Sequence, residues 1–529
     1  MNGQRICASS RGRGTRVELS DITAANTEKT LQWKRGARAF LALALLLVLA
    51  DLLFWQVPPG ISLAIFFAAI AVPILWLRRG AVDIRTLLIA IAIAALGVLP
   101  LVEATTWTGA LAALFGVSFL ALAVSKRLPR AFEDLTGILI RFGALAPFRL
   151  MGDSARLLAL GTNRGLGGRL VRGVAIWIVP AAFAAAFLVL FSEANPLIET
   201  ALEALRLESA FDLLQPGRIV LWGVVAVIVW PLLRPRLLTW PKRQEVQGPV
   251  LPRAESLLFG RAAILRSLLV FNALFAVQTA LDMLYLWGGV RLPDGLTYAD
   301  YAHRGAYPLI VTALLAAGFV LAAMRRNGPA EQSPLIRRLV YLWIGQNVLL
   351  VISSILRLDL YVEVYSLTEL RLAAGIWMVL VAVGLVLILA KIVLGRSNRW
   401  LVTSNLVSLG LALYACAFID LSALIARFNV ENSRELGGEG QSLDLYYMSQ
   451  LGPSVIPAIS DYIDRVPAAS ADQVRGFELL VDEMAADFLA RPQDWRSWTF
   501  RDQRLRDWLA STPRFASMIS GDRTSATYP

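Results

Sequence analysis

Apolar runs of about 18 residues or more recur along this 529-residue chain, separated by loops that carry Arg and Lys; that is the length at which a segment becomes a transmembrane helix candidate. In lipid every backbone N–H and C=O has to be satisfied internally, so only helices and closed barrels span a bilayer. A barrel would show segments of about ten residues with alternating polarity, unlike continuous runs such as Leu41-Ala-Leu-Ala-Leu-Leu-Leu-Val48. The fold class that follows is all-α, a polytopic transmembrane helical bundle. Composition agrees, with 57% hydrophobic and 17% charged residues against about 25% charged in soluble domains.

Spans are expected over residues 37–55, 60–77, 86–102, 106–125, 173–192, 219–233, 267–287, 306–324, 339–356, 372–390 and 401–420. Of the 51 basic residues, 34 fall in the N-terminal arm and the loops on its side, 6 in loops on the other side and 11 from Arg427 onward. Short cytoplasmic loops carry the Lys and Arg excess, so eleven spans run with the N-terminus inside and the C-terminus outside. The same asymmetry accounts for the net charge of +12, and no nucleic-acid partner is implied. The one partner that the composition requires is the lipid bilayer.

Three regions are expected. Residues 1–36 form a basic, disordered cytoplasmic arm, 37–426 the transmembrane helical domain, and 427–529 a small extracytoplasmic helical domain. The last region has 11 basic and 15 acidic residues, with amphipathic helix patterns at Leu443–Leu451, Pro453–Ile463, Ala471–Leu489 and Arg501–Leu509. Within the basic inner loop 126–172, Leu135 to Leu160 reads either as an amphipathic segment lying along the inner leaflet or as a solvated loop that orients the chain.

Ionisable groups inside spans are costly and are the first candidates for function. Asp51, Asp282 and Asp420 fall in the outer halves of their spans, and Arg304, Arg357 and Arg371 start or end spans on the same side. Gln278 shares a helical face with Asp282, while Asn347 and Ser354 lie close in angle to Arg357. The stretch Ser353–Arg371 is the most polar near the membrane; its Ser353, Arg357, Tyr361, Tyr365, Thr368 and Arg371 recur every three or four residues, as on one helix face. Together these side chains are expected to form a polar cluster at the outer end of the bundle, with carboxylates paired to guanidiniums. Such a cluster either glues helices together or lines a binding pocket.

No reaction can be read from the chain. One histidine, His303, and two cysteines, Cys7 and Cys416, leave neither a metal cluster nor a disulfide framework, and no cofactor is expected. Gly116-Val-Ser118 lacks the second glycine of a nucleophile elbow, and Gly165-Leu-Gly167-Gly168 fits no phosphate loop. Transport would call for an internal repeat, which the two halves do not display.

Three stretches resemble the bacterial membrane family catalogued as domain of unknown function 4173, related to the 4153 group. Thr297-Tyr298-Ala-Asp300-Tyr301-Ala-His303-Arg304-Gly305 is similar to that family's Tyr-x-x-Tyr-x-x-x-Gly signature entering a span. Ser353–Arg371 is similar to its Ser-x-x-x-Arg…Tyr…Tyr-x-Leu-Thr-x-x-Arg pattern, with Ser366 where the family has Gly. Ala426-Arg427-Phe-Asn429-Val followed by Leu443-Asp444-Leu-Tyr446-Tyr447 is similar to its Asn-Val…Leu-Asp-x-x-Tyr continuation. The resemblance covers about residues 190–510. It implies a multi-span protein of the bacterial inner membrane, with outer motifs that act together and no assigned activity. Two roles fit: a non-enzymatic structural or regulatory module whose C-terminal domain binds an envelope partner, or a transporter or lipid-handling protein whose cluster is its pocket.

Overall fold

The computed structural model describes residues 36–77, 82–153 (apart from 145, 147 and 151), 215–237, 261–284, 333–466 (apart from 439) and 471–520. All regular secondary structure among them is helical. The bundle is built from α1 (Gly36–Phe54), α2 (Ile61–Trp76), α3 (Ile84–Val98) running into the single turn α4 (Pro100–Glu103), and α5 (Trp107–Val124). The short α6 (Leu135–Gly143) follows. Then come α7 (Pro216–Leu233), α8 (Arg261–Asp282), α9 (Pro334–Tyr365), α10 (Glu369–Val393) and α11 (Asn398–Cys416). The starts are set by side chains that accept a free backbone N–H of the first turn: Asp83 before α3, Thr106 before α5, Thr368 before α10 and Ser397 before α11.

Seven of the described helices are long and apolar enough to cross a membrane. A bent pair, α11 with α12 (Leu421–Glu431), turns by 71° at its break and passes the same test jointly. The helix α2, at 16 residues, is shorter. The expected spans over 173–192 and 306–324 lie outside the described residues, so the chain is a helical membrane protein whose count of eleven spans stays an expectation.

One boundary moves substantially. The span expected over 339–356 is the 32-residue α9, which continues to Tyr365. Arg357, Asp359 and Glu363, which lie beyond the end expected for that span, continue the same helix, so the helical spacing of Ser353, Arg357, Tyr361 and Tyr365 is realised on it. Thr368 and Arg371 therefore cannot share its face. The helix ends at Ser366, whose φ of 66° lies in the left-handed region, and both residues belong to the next element.

The helix ends sort into two sets. At one end, the loops after α1, α4 and α9 and the break after α11 meet the C-terminal helices. These are α13 (Leu445–Gln450), α14 (Ile456–Arg465), α15 (Ala471–Ala490), α16 (Phe500–Ser511) and α17 (Pro513–Ser520). At the opposite end, residues 126–153 lie against the end of α7 and the start of α11. Thr136 Oγ1 bonds Thr403 Oγ1 at 3.0 Å, Arg399 pairs with Asp134 at 3.0 Å, and Ser397 Oγ donates to Glu133. The first is called the capped end below and the second the basic end.

The cores are separate. One joins α1, α2, α3, α5 and α7, a second joins α8, α9, α10 and α11, and a third belongs to the C-terminal helices. The third core takes in Ile425, Ala426 and Val430 of α12 and packs Leu367 and Leu372 against it. It therefore reaches back past Arg427 into the membrane-proximal chain. In the first core, α3 and α5 cross at small residues: a Cβ on Gly97 would come within 2.5 Å of the Ala112 carbonyl oxygen, and one on Gly116 within 2.9 Å of Ala94 Cα. Backbones approach this closely only where side chains are absent or minimal.

Candidate functional site

The expected polar cluster resolves into four groups at or near the capped end. The deepest is on α8 and α9. Arg357 forms an ion pair with Asp282, their side chains 5% and 1% exposed, and Gln278 Nε2 donates to Asp282 Oδ1 at 3.0 Å. Two further cross-links lie below it: Asn272 Nδ2 to the Leu339 carbonyl at 3.2 Å, and Gln346 Nε2 to the Asn272 carbonyl at 3.1 Å. These contacts advance together along both helices, so α8 and α9 run parallel, and Asp282 and Pro334 lie at opposite ends. Asn347 and Ser354 turn onto their own helix, bonding the Trp343 carbonyl at 2.8 Å and the Leu350 carbonyl at 2.8 Å.

The second group is separate from the first. Asp51 on α1 is clamped by Arg218 of α7, which donates through Nε at 2.6 Å and through Nη2, and Trp222 Nε1 donates to the same carboxylate at 3.1 Å. The guanidinium also lies over the rings of Trp55 and Trp222, at 5.3 and 5.9 Å from their centroids, a cation–π arrangement that works best where water is scarce.

The third group is the turn between α9 and α10. Tyr361 and Tyr365 stack at 4.8 Å, and Arg371 folds back over Tyr361 at 4.5 Å while donating to the Tyr365 and Ser366 carbonyls. Thr368 caps α10, accepting from Arg371 N at 3.4 Å. Asn429 of α12 then clasps this turn, accepting from Leu367 N at 2.7 Å and donating to the Leu367 carbonyl at 2.9 Å. Tyr447 Oη accepts from Glu369 N at 3.0 Å, and burial pushes its phenol upward from the ordinary value.

The fourth group joins the bundle to α16. Asp420 caps α12, accepting from Ala423 N at 3.1 Å, and lies 3.4 Å from Arg501 Nε. Arg501 also lies 3.9 Å from Glu103, which pairs with Arg504 as well. Nearby the loop 492–498 is laid against the start of α2. Gly60 N donates to the Arg496 carbonyl at 3.0 Å, Ile61 N to the Trp498 carbonyl at 2.7 Å, and Arg496 Nη1 to the Leu52 carbonyl at 2.8 Å. A Cβ on Gly60 would stand 2.2 Å from the Ser497 carbonyl carbon, so this contact needs glycine. The Arg496 guanidinium holds the Asp494 carboxyl below the usual range.

Of the twelve candidates, Asp282, Gln278 and Arg357 come together. Asp51 and Asp420 belong to other groups, as do Tyr361, Tyr365, Thr368 and Arg371. Arg304, like His303, lies outside the described residues. Sequence reasoning missed Arg218, Trp222, Glu103, Arg496, Arg501, Arg504 and Gly60. The spacing of Arg218 and Trp222 one helical turn apart, at the start of an apolar run, was available as a signal for the first two. Nothing local marks the others, because their partners lie hundreds of positions away.

The arrangement positions and locks; among the described residues it does not set a nucleophile beside a base. Neither curated proteins nor solved structures give a match to the chain. Two of the motifs that carried the family resemblance, Ser353–Arg371 and Ala426–Tyr447, meet through Asn429 and Tyr447. Residues 64–462, well over half of the chain, match the family described as "Domain of unknown function (DUF4153)", and the protein belongs to that family.

Proposed function

We propose that the protein is a non-enzymatic, multi-span module of the bacterial inner membrane, with its basic end in the cytoplasm and an extracytoplasmic C-terminal domain that locks the outer ends of the helices. The observation that carries this is the grip of that domain on four separate places in the bundle: the loop at Gly60, Glu103 at the end of α4, the turn at Leu367 and the break at Asp420. A clamp of this kind makes a fixed platform, and Tyr446 and Leu479 stay exposed on it as anchors of the sort that protein interfaces use. An envelope protein is the partner that fits. Orientation follows from the arginines at the basic end, Arg127, Arg130, Arg141, Arg149, Arg234, Arg236, Arg396 and Arg399, by the positive-inside rule. The finer likeness, to family 4173, goes with this role through the motifs that meet at Asn429.

A ligand-handling role has one observation in its favour. The amide oxygens of Asn272, Gln346 and Asn347 find no donor among the described residues, although they are buried along the seam below Asp282. Cysteine labelling in intact cells separates the two roles. In a Cys7→Ser, Cys416→Ala background, Gln450→Cys should react with a membrane-impermeant maleimide and Arg130→Cys only after permeabilisation. The reverse pattern overturns the orientation. Ser354→Cys should stay protected in both conditions; labelling there would reveal a wet pocket and favour ligand handling.

A further inference from the structure

At the basic end a groove of about 430 Å³ opens between α5, α6 and α7, within the size range of small-molecule sites. Its walls are apolar: Phe115 and Ser118 come from α5, Leu139, Phe142 and Gly143 from α6, and Ile228 from α7. Phe115, Ile228 and the neighbouring Ile140 and Phe148 remain exposed, so the groove faces the surroundings of the bundle and not its interior.

One wall leads directly to a charge cluster. The guanidinium of Arg149 lies 5.5 Å from the centroid of Phe142. Its side chain is buried, 6% exposed, and bonds the Arg234 carbonyl at 3.2 Å through Nη1. Its Nε and Nη2 hydrogens find no acceptor among the described residues. Burial pushes it down to about 10 against the attraction of Asp153, with Arg236 and Arg127 adding repulsion, so it is still cationic at neutral pH. Among the described residues one carboxylate serves the group: Asp153 lies 2.9 Å from Arg236 and 3.7 Å from Arg234. Among the described residues, four guanidiniums thus gather around one carboxylate with buried donors left over, the arrangement of an anion site.

We propose that an anionic phospholipid binds here, its phosphate on Arg149, Arg127 and Arg236 and an acyl chain in the groove between α5, α6 and α7. The lipid supplies both things the site lacks, acceptors for the spare guanidinium hydrogens and hydrocarbon for the apolar walls. A free phosphate would supply only the first, and a zwitterionic lipid carries a cation that the arginines repel. The amphipathic segment that begins at Leu135 then has a definite place in the design, since α6 is the wall that turns a bundle surface into a slot.

The test uses full-length protein in mild detergent, with bound lipid counted by native mass spectrometry and thermal unfolding followed in parallel. Phosphatidylglycerol should bind at one site per chain and raise the melting temperature. Phosphatidylcholine with the same chains should bind about tenfold more weakly, and inorganic phosphate should leave the melting temperature unchanged. Arg127→Gln and Arg236→Gln, at the rim, should each weaken phosphatidylglycerol binding by roughly fivefold. Gly143→Trp should abolish it with every arginine in place; a Cβ there meets nothing within 4 Å, and an unchanged melting temperature of the lipid-free variant checks that it is folded. Equal affinity for the two lipids, stabilisation by phosphate alone, or full phosphatidylglycerol affinity in the rim variants or in Gly143→Trp would each overturn the proposal. Arg149→Gln should show the largest loss, and the rim variants decide the matter if it fails to fold.

Discussion

Two helix pairs in the same bundle are held by opposite means. At the α3–α5 crossing no side-chain hydrogen bond among the described residues joins the helices: Gly97 faces Ala112, Gly116 faces Ala94, and the backbones approach closely. At the α8–α9 seam the helices stand side by side and parallel, joined by Asp282 with Arg357, by Asn272 and Gln346, and by the edge-on rings of Phe275 and Trp343 at 6.3 Å. In lipid there is no hydrophobic drive between apolar surfaces, so helices associate through close packing or through interhelical hydrogen bonds. The α3–α5 crossing uses the first device and the α8–α9 seam the second, while α1 and α7 of the first core add a polar link through Asp51 and Arg218. Close packing tolerates no added atom, whereas a polar seam tolerates no lost partner.

That contrast can be broken from either side. Arg357→Ala should be the most damaging, at about 3–5 kcal/mol, because it strands a buried carboxylate; denaturant unfolding in micelles would measure it. Asp282→Asn should cost clearly less, since the amide oxygen still accepts a hydrogen bond; a loss as large as that of Arg357→Ala would show that the opposite charge, and not the hydrogen bond, holds the seam. Gly97→Leu should destabilise by about 1–3 kcal/mol through overpacking while leaving the α8–α9 seam intact, as a disulfide-trapping probe between those helices would report. Ser366→Gly should stabilise by about 1 kcal/mol, because φ of 66° and ψ of 166° fall where only glycine is unstrained. The smallest change is expected from Tyr462→Phe. The Tyr462 hydroxyl is buried without a partner among the described residues, and burial pushes its phenol up to about 12. Its removal should shift the melting temperature little, within about 1 kcal/mol of neutral.

The same contrast explains what could be read from the chain. Asp282, Gln278 and Arg357 stand out in the sequence because charged and amide groups are rare in apolar runs, and pairing is nearly forced once two lie at the same depth. The expectation that Asp51 and Asp420 would join them fails for a physical reason. Depth is legible, but the neighbour is not: Asp51 sits on α1, which packs against α7, and no local pattern encodes that choice. The α3–α5 contact is invisible because the chain holds 38 glycines and many of those described meet nothing. The end of α9 is misplaced because polar residues suggest the end of a span, whereas the helix stops where the backbone turns, at Ser366. There the departure from the family pattern is visible as a single letter, without its geometry.

The parallel course of α8 and α9 also has a meaning in time. Asp282 and Arg357 are separated by 75 residues, and at a synthesis rate of about 5–20 residues per second the carboxylate waits roughly 4–15 s for its guanidinium. Asp51 waits longer, for Arg218, 167 residues on. Glu103 waits longest, for Arg504, 401 residues later. Each of these carboxylates is therefore made well before the guanidinium that pairs with it. The helices that close the capped end are made after the bundle they close, so truncation before Phe500 would leave the earliest helices inserted but unlatched.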